Sequence, residues 1–211
     1  LCTATQPTLD YSELDYPIEY TQNSNFNADL AVLDETMKRS FARVDAYNLI
    51  GKNQQTLNTN ELIDRINYDL SSYKSVLIIL NTKKAVLTLY EELKKVSKSK
   101  IFYLTTNLCA AHRIKIINEI KDYTEKITLK EVTDPEKIIV VSTQLVESGV
   151  DFDFNVVYRS LSGVDSLIQA AGRCNRNGKL SRGLFKIFKY EEENLKSLKE
   201  IEEARNASLY A

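Results

Sequence analysis

The sequence predicts an α/β fold in which a mainly parallel sheet is flanked by helices on both faces. Three observations predict it. Short apolar, β-branched runs recur along the chain, and helical patterns with one apolar face separate them. Five of the six glycines crowd into residues 149–183, where tight turns or close backbone approach are needed. At 211 residues the chain can hold one full domain and a short appendage.

The chain opens Leu1-Cys2-Thr3-Ala4-Thr5, with neither an initiator Met nor a secretory signal, which reads as a piece cut from a longer protein, although a processed terminus would look the same. Residues 10–28 are polar and tyrosine-rich without a clear period and read as a linker. Val32-Leu33-Asp34-Glu35 imitates an acidic metal-binding box. However, Leu30, Leu33, Met37 and Phe41 recur at helical spacing, and no phosphate loop precedes them, so a helix is expected there. Alternation of strand and helix follows. Candidate strands are Ala42–Tyr47, Val76–Leu80, Ile101–Thr105, Ile138–Ser142, Val156–Tyr158 and Leu184–Phe188. Helical patterns fall near Glu61–Leu70, Ala85–Val96, Ala111–Tyr123 and Val164–Cys174. The charged stretch Glu191–Arg205 reads as a helix capping the surface.

Composition excludes several classes. No apolar run approaches the ~20 residues of a membrane span. Three widely spaced cysteines, Cys2, Cys109 and Cys174, suggest reduced thiols and a cytoplasmic setting. The net charge of -1 hides a segregation. Residues 1–75 carry 6 basic and 11 acidic side chains, residues 76–190 carry 19 and 12, and residues 191–211 carry 3 and 6. Arg173 to Lys189 holds six basic residues and no acid. A basic middle attracts phosphates, although a solvated lysine-rich surface would give the same numbers.

The densest chemistry lies in Gln169-Ala170-Ala171-Gly172-Arg173-Cys174-Asn175-Arg176. On a helix, Gln169, Arg173 and Arg176 fall within an arc of about 60°. Val164, Leu167, Ala171 and Cys174 take the opposite face, the one expected to dock on the sheet. Ser162 with Asp165 is a candidate capping pair, and Gly178 a candidate stop. Two guanidiniums and an amide would then point out of the domain. Phosphoryl transfer uses such equipment, and a solvent-exposed basic helix end is the plainer alternative.

Strand ends supply the remaining candidates. Ile138–Thr143 runs toward Gly149 and Asp151, so Ser142 and Thr143 would sit at the carboxyl end of a strand, where ligands of such sheets bind. Hydroxyls suit phosphate oxygens and Asp151 suits a ribose hydroxyl, while a polar strand end and an Asp in a turn explain them equally. Asn81-Thr82-Lys83 and Thr105-Thr106-Asn107 repeat the arrangement before a helix, as anion sites or ordinary N-caps. No GxxxxGK[ST] loop occurs. His112, the only histidine, lies three residues after Cys109 without a second pair for zinc, which excludes a nuclease site of clustered His and Asp.

Together these segments resemble the superfamily 2 helicases. Leu1-Cys2-Thr3-Ala4-Thr5-Gln6-Pro7 resembles motif III, which closes a first RecA-like lobe and couples hydrolysis to movement through Thr3 and Thr5. Asn81-Thr82 resembles motif IV, Val141–Asp151 motif V and Gln169–Arg176 motif VI. The wording is most similar to the CRISPR-associated helicase–nucleases of type I systems, notably in Leu108–Arg113, Ser142–Asp151 and Asp165–Gln169.

The resemblance implies a RecA-like three-layer sandwich. Residues 1–9 would end the first lobe, 10–28 would link, and 29–211 would form the second lobe. It implies a parent enzyme that pulls single-stranded DNA 3′ to 5′ with ATP and Mg²⁺, loads at a crRNA-guided surveillance complex, and cuts in an HD nuclease domain. Arg173 and Arg176 would be arginine fingers, Gln169 would lie near the γ-phosphate, and Gly149 and Asp151 near the nucleotide. Asn81, Thr82, Thr105, Thr106, Arg113, Ser142 and Thr143 would lie along the DNA path. ATP and Mg²⁺ would be held mainly by the absent first lobe, so the chain alone is expected to be inactive as an ATPase. Another superfamily 2 motor, such as an RNA helicase or restriction-type translocase, and a non-catalytic nucleic-acid-binding module are the competing readings. The residues encoded upstream of Leu1 would discriminate among them.

Overall fold

The computed structural model describes residues 43–51, 53–129, 136–196 and 198–209, and the compact unit that they form begins at Arg43. The linker, the expected helix around Leu33, and Thr3 and Thr5 lie outside the described residues.

Among the described residues lie six strands and five helices: β1 (Val44–Asn48), α1 (Thr59–Ser72), β2 (Ser75–Leu80), α2 (Lys83–Val96), β3 (Lys100–Leu104), α3 (Ala110–Leu129), β4 (Ile138–Thr143), β5 (Val156–Ser160), α4 (Val164–Ala171), β6 (Gly183–Phe188) and α5 (Lys199–Ala207). The strands form one sheet in the order β1-β6-β5-β2-β4-β3, and every pairing is parallel.

Side chains alternate across each strand, and the two sets enter different cores. Val76, Ile78 and Leu80 of β2 pack with Leu62, Ile66 and Leu70 of α1 and with Val86, Leu89 and Leu93 of α2. Leu77 and Ile79 pack in the other core with Ile120 of α3, Ala170 of α4, Phe152 and Phe154. Helices therefore cover both faces, and the expected three layers are present. Each fully buried Leu or Ile contributes roughly 1.5–3 kcal/mol by leaving water. Local signals set the helix starts. At α1 the Asn58 side chain accepts from the Glu61 N–H while Glu61 reaches back to the Asn58 N–H, and at α2 Thr82 accepts from the Ala85 N–H.

Register decides where the site lies. Leu80 pairs with Thr143, and Leu104 with Ser142, so β2, β3 and β4 end together. The chain leaves β4 on one side of β2 and returns in β5 on the other. That reversal opens a crevice at the carboxyl ends of the strands.

Two helices differ from expectation. The helix expected over Val164–Cys174 stops at Ala171 and is capped by Gly163, with no side-chain cap from Ser162. Gly172, a poor helix former, ends it. Beyond it the backbone finds other partners: the Arg173 carbonyl accepts from the Phe154 N–H, and the Asn175 N–H donates to the Phe154 carbonyl. Asn175 takes the left-handed conformation (φ 44), and Gly178 (φ 63) closes the turn after it instead of stopping a helix. The expected C-terminal helix, Glu191–Arg205, begins only at Lys199. Its first residues are held as irregular chain because Glu191 N–H bonds the Leu57 carbonyl and Leu195 is buried.

Candidate functional site

After β4 the chain makes one 3-10 turn, Gln144–Val146, and then a loop in which Gly149 is left-handed (φ 72) with open space where a Cβ would stand. Both arginines of the 169–176 segment close on this loop. Arg173 is 9 % exposed, and its Nε and Nη2 donate to the carbonyls of Val146 (3.0 Å) and Glu147 (2.6 Å). Burial, and next the adjacent Arg176, hold its guanidinium below the ordinary arginine range. Arg176 stays at the surface, its side chain 44 % exposed, with Nε 2.7 Å from the Asp151 carboxylate. The Asp153 carboxylate accepts from the backbone N–H of Arg176 (2.8 Å) and of Asn177 (3.3 Å), which fixes the turn.

The shared outward face expected for Gln169, Arg173 and Arg176 is therefore not formed. Helix geometry ends before the arginines, and Arg173 turns inward to satisfy two loop carbonyls. Gln169 is half-buried in the last turn of α4. Val164, expected on the sheet side, is 45 % exposed, while Leu167, Ala171 and Cys174 do pack toward the core.

At the carboxyl ends of β2, β3 and β4 lies a cleft of ≈ 840 Å³. Asn81, Thr82, Thr106 and Thr143 line it, together with Lys83 and Lys84 and with Glu192, Lys196, Leu198 and Ile201 of the C-terminal segment. Other candidates are occupied elsewhere. The Ser142 hydroxyl is buried and donates to the Leu104 carbonyl (2.7 Å). The Thr105 hydroxyl is buried, donates to Tyr103 Oη (2.9 Å) and accepts from the Asn107 N–H (3.3 Å). Neither hydroxyl lines the cleft: Ser142 ties the end of β4 to β3, and Thr105 is bonded within its own segment. Arg113 is half-buried in the first turn of α3, where its N–H bonds the Cys109 carbonyl.

Asn81 lies at the cleft but is 4 % exposed, and its side chain is internally committed. Its amide N–H groups reach the Leu161 carbonyl (3.0 Å) and the Glu193 carboxylate (3.0 Å), and its oxygen accepts from Arg159 Nη1 (2.7 Å). Its backbone N–H also donates to Glu193. Arg159, 1 % exposed, is the centre of this network: Nε meets the Glu147 carboxylate at 2.7 Å and Nη2 donates to Ser166 Oγ (2.8 Å). Ser166 in turn donates to Glu147 (2.7 Å), and Ser160 donates to Glu193 (2.5 Å). Burial pushes the carboxyls of Glu147 and Glu193 above the usual range, against the pull of these donors and of Arg159.

Sequence reading missed Arg159, Glu147, Ser166 and Glu193. One signal was available: an arginine closing the otherwise apolar run Val156-Val157-Tyr158-Arg159, a strand the sheet buries on both faces. Glu193 gave none, since Glu191, Glu192 and Glu193 read alike.

Among the described residues no helix is long and apolar enough to cross a membrane, and no group of three or more His, Cys, Asp or Glu could hold a metal ion. A family model described as "CRISPR-associated nuclease/helicase Cas3, C-terminal" matches residues 72–179, just over half of the chain. A CRISPR-associated nuclease/helicase Cas3 from Methanothermobacter thermautotrophicus is 32 % identical over 109 residues, which cover 52 % of this chain and 12 % of that protein. The chain thus spans about an eighth of that relative. Among solved structures, T. fusca Cas3 matches with a TM-score of 0.55 at 20 % identity, over 71 % of this chain and 18 % of that one. The C-terminal domain of the DEAD-box protein Dbp5 matches with a TM-score of 0.50 at 20 % identity, over 77 % of this chain and 84 % of that one. At these identities the structural matches speak for the fold, which is RecA-like.

Proposed function

The chain belongs to the Cas3 C-terminal helicase family, and from that premise we propose that it is the second motor lobe of an ATP-driven, single-stranded-DNA translocase of CRISPR interference. One observation carries the reading: Arg176 and Asp151, 25 residues apart in sequence, meet at 2.7 Å on the rim of the β4 loop, with the guanidinium still partly open to solvent. That pairing poises a cationic fork beside the left-handed turn at Gly149, a fit for one wall of a nucleotide site.

ATP, when bound between this lobe and a first RecA-like lobe, supplies phosphoryl transfer to water. Arg176 would act as the finger, exchanging Asp151 for phosphate oxygens, and Gln169 would help place the water. Arg173 would set the loop on which this happens. Asp151, released, would be free for a ribose hydroxyl. Mg²⁺ would be held by groups of the other lobe. The cleft at Thr82, Thr106 and Thr143 would form part of the DNA path, with Lys83 and Lys84 facing the phosphates. Alone, the lobe would not turn over ATP, because a finger without the phosphate cradle has nothing to stabilise.

The test is ATP turnover with single-stranded DNA in the full-length enzyme. Arg176→Ala should lower kcat on the order of 10³-fold, and Arg176→Lys should rescue poorly because an ammonium cannot reproduce the fork. Parental turnover in Arg176→Ala would end the finger assignment.

A further inference from the structure

The nucleotide-facing loop and the wall of the cleft are joined by the buried network around Arg159. The path is continuous. Arg173 holds the Glu147 carbonyl, and the Glu147 carboxylate holds Arg159 Nε (2.7 Å). Arg159 Nη1 holds Asn81 (2.7 Å), and the Asn81 amide and backbone N–H hold Glu193. The residues on either side of Glu193, Glu192 and Asn194, line the cleft. A branch through Ser166 ties α4, which carries Gln169, to the same guanidinium.

We propose that Arg159 is a positioning residue that couples occupancy of the cleft to the placement of Arg173 and Arg176. The proposal rests on the function proposed above. Its physical basis is that one planar guanidinium ties three elements together: it ion-pairs with Glu147 of the β4 loop, and it donates hydrogen bonds to Asn81 at the end of β2 and to Ser166 of α4. With charges this enclosed, the group cannot trade a partner for water, so a shift of one element has to be followed by the others. A displacement of the irregular segment at the cleft edge, where Glu192 and Asn194 stand, moves Glu193 and Asn81, and Arg159 carries it to Glu147 and the loop that Arg173 grips. A residue of mere packing would support both activities equally. A coupling residue affects the response of one to the other.

The experiment compares the full-length enzyme with its Arg159→Met, Arg159→Lys and Ser166→Ala variants. For each, ATP turnover without DNA, turnover at saturating single-stranded DNA, KM for ATP, DNA affinity and melting temperature are measured. Arg159→Met should lower the ratio of stimulated to basal turnover by at least about 5-fold, with basal turnover, KM and DNA affinity within about twofold of the parent. Arg159→Lys should fall between. Ser166→Ala, which deletes one hydroxyl, should show the same split at about 2-fold and decides the matter if Arg159→Met fails to fold. An unchanged ratio overturns the proposal, and so does a fall of basal and stimulated rates together. A parent enzyme that shows no stimulation by DNA instead sinks the functional reading on which the proposal stands.

Discussion

At the scale of single residues, the two arginines that share a sequence segment have different surroundings, and their substitutions should behave differently. Arg173→Ala removes the donor set for two loop carbonyls and leaves them in a buried site, at a cost of about 1–3 kcal/mol. Arg176→Ala removes an exposed ion pair, whose contribution is ~0–1 kcal/mol. With mid-range costs differing by about 1.5 kcal/mol, melting temperatures should separate the variants by roughly 3–6 °C, with Arg173→Ala the lower. Equal melting points would contradict the inward orientation of Arg173. Glu193 offers a second test. Burial raises its carboxyl above the ordinary glutamate range. A raised carboxyl contributes stability below the unfolded pKa and loses it as pH rises through the folded one. Glu193→Gln mimics the protonated acid, so its melting temperature relative to the parent should climb as pH increases from about 4. A flat or falling difference would show that Arg159, Ser160 and Asn81 outweigh burial.

Among the elements, periodicity made the sheet legible and left its loops unread. Six strands and the four helices between them were visible because a buried parallel sheet needs apolar β-branched runs, and covering helices need one apolar face. The errors fall where backbone pairing overrides that pattern. The 169–176 segment has helical spacing, but Phe154 captures its backbone after Gly172, so no periodicity rule could place Arg173. Arg159 and Glu193 were invisible for a related reason: what makes them central is three-dimensional convergence on Asn81. The same segment yields a packing prediction. A Cβ on Gly183, at the start of β6, would stand 2.7 Å from Cys174 Sγ and 2.8 Å from Asn175 Cβ, whereas one on Gly149 meets nothing within 4 Å. Gly183→Ala should cost roughly 1–3 kcal/mol through overpacking, and Gly149→Ala about 1 kcal/mol through its left-handed backbone alone. Adding Cys174→Ala should recover part of the first loss and none of the second, as urea unfolding midpoints would show. Recovery in neither would mean that the Asn175 contact, not the thiol, sets the limit.

On the scale of the whole molecule, net charge conceals a polarity that the fold converts into a directed surface. The chain carries -1 overall, yet 19 of its 28 Lys and Arg residues lie between 76 and 190, the stretch that builds most of the sheet. Parallel topology sends every carboxyl strand end to one edge, so Lys83 and Lys84, which open α2, stand beside Thr106 and Thr143 at the cleft. Lys100 begins β3 and so stands at the opposite edge, where it is paired with Glu119 at 2.7 Å. Phosphate binding confined to the cleft should distinguish these positions. For single strands, the logarithm of affinity falls with the logarithm of salt at about 0.7 per phosphate neutralised. Lys83→Ala and Lys84→Ala should each weaken single-stranded DNA binding at low salt and flatten that slope by roughly 0.7, while Lys100→Ala should leave both unchanged. The measurement is fluorescence anisotropy with an oligonucleotide across a salt series. If all three lysines flattened the slope alike, binding would follow general basic charge. If none did, the cleft would not be the DNA path, whatever else the lobe does.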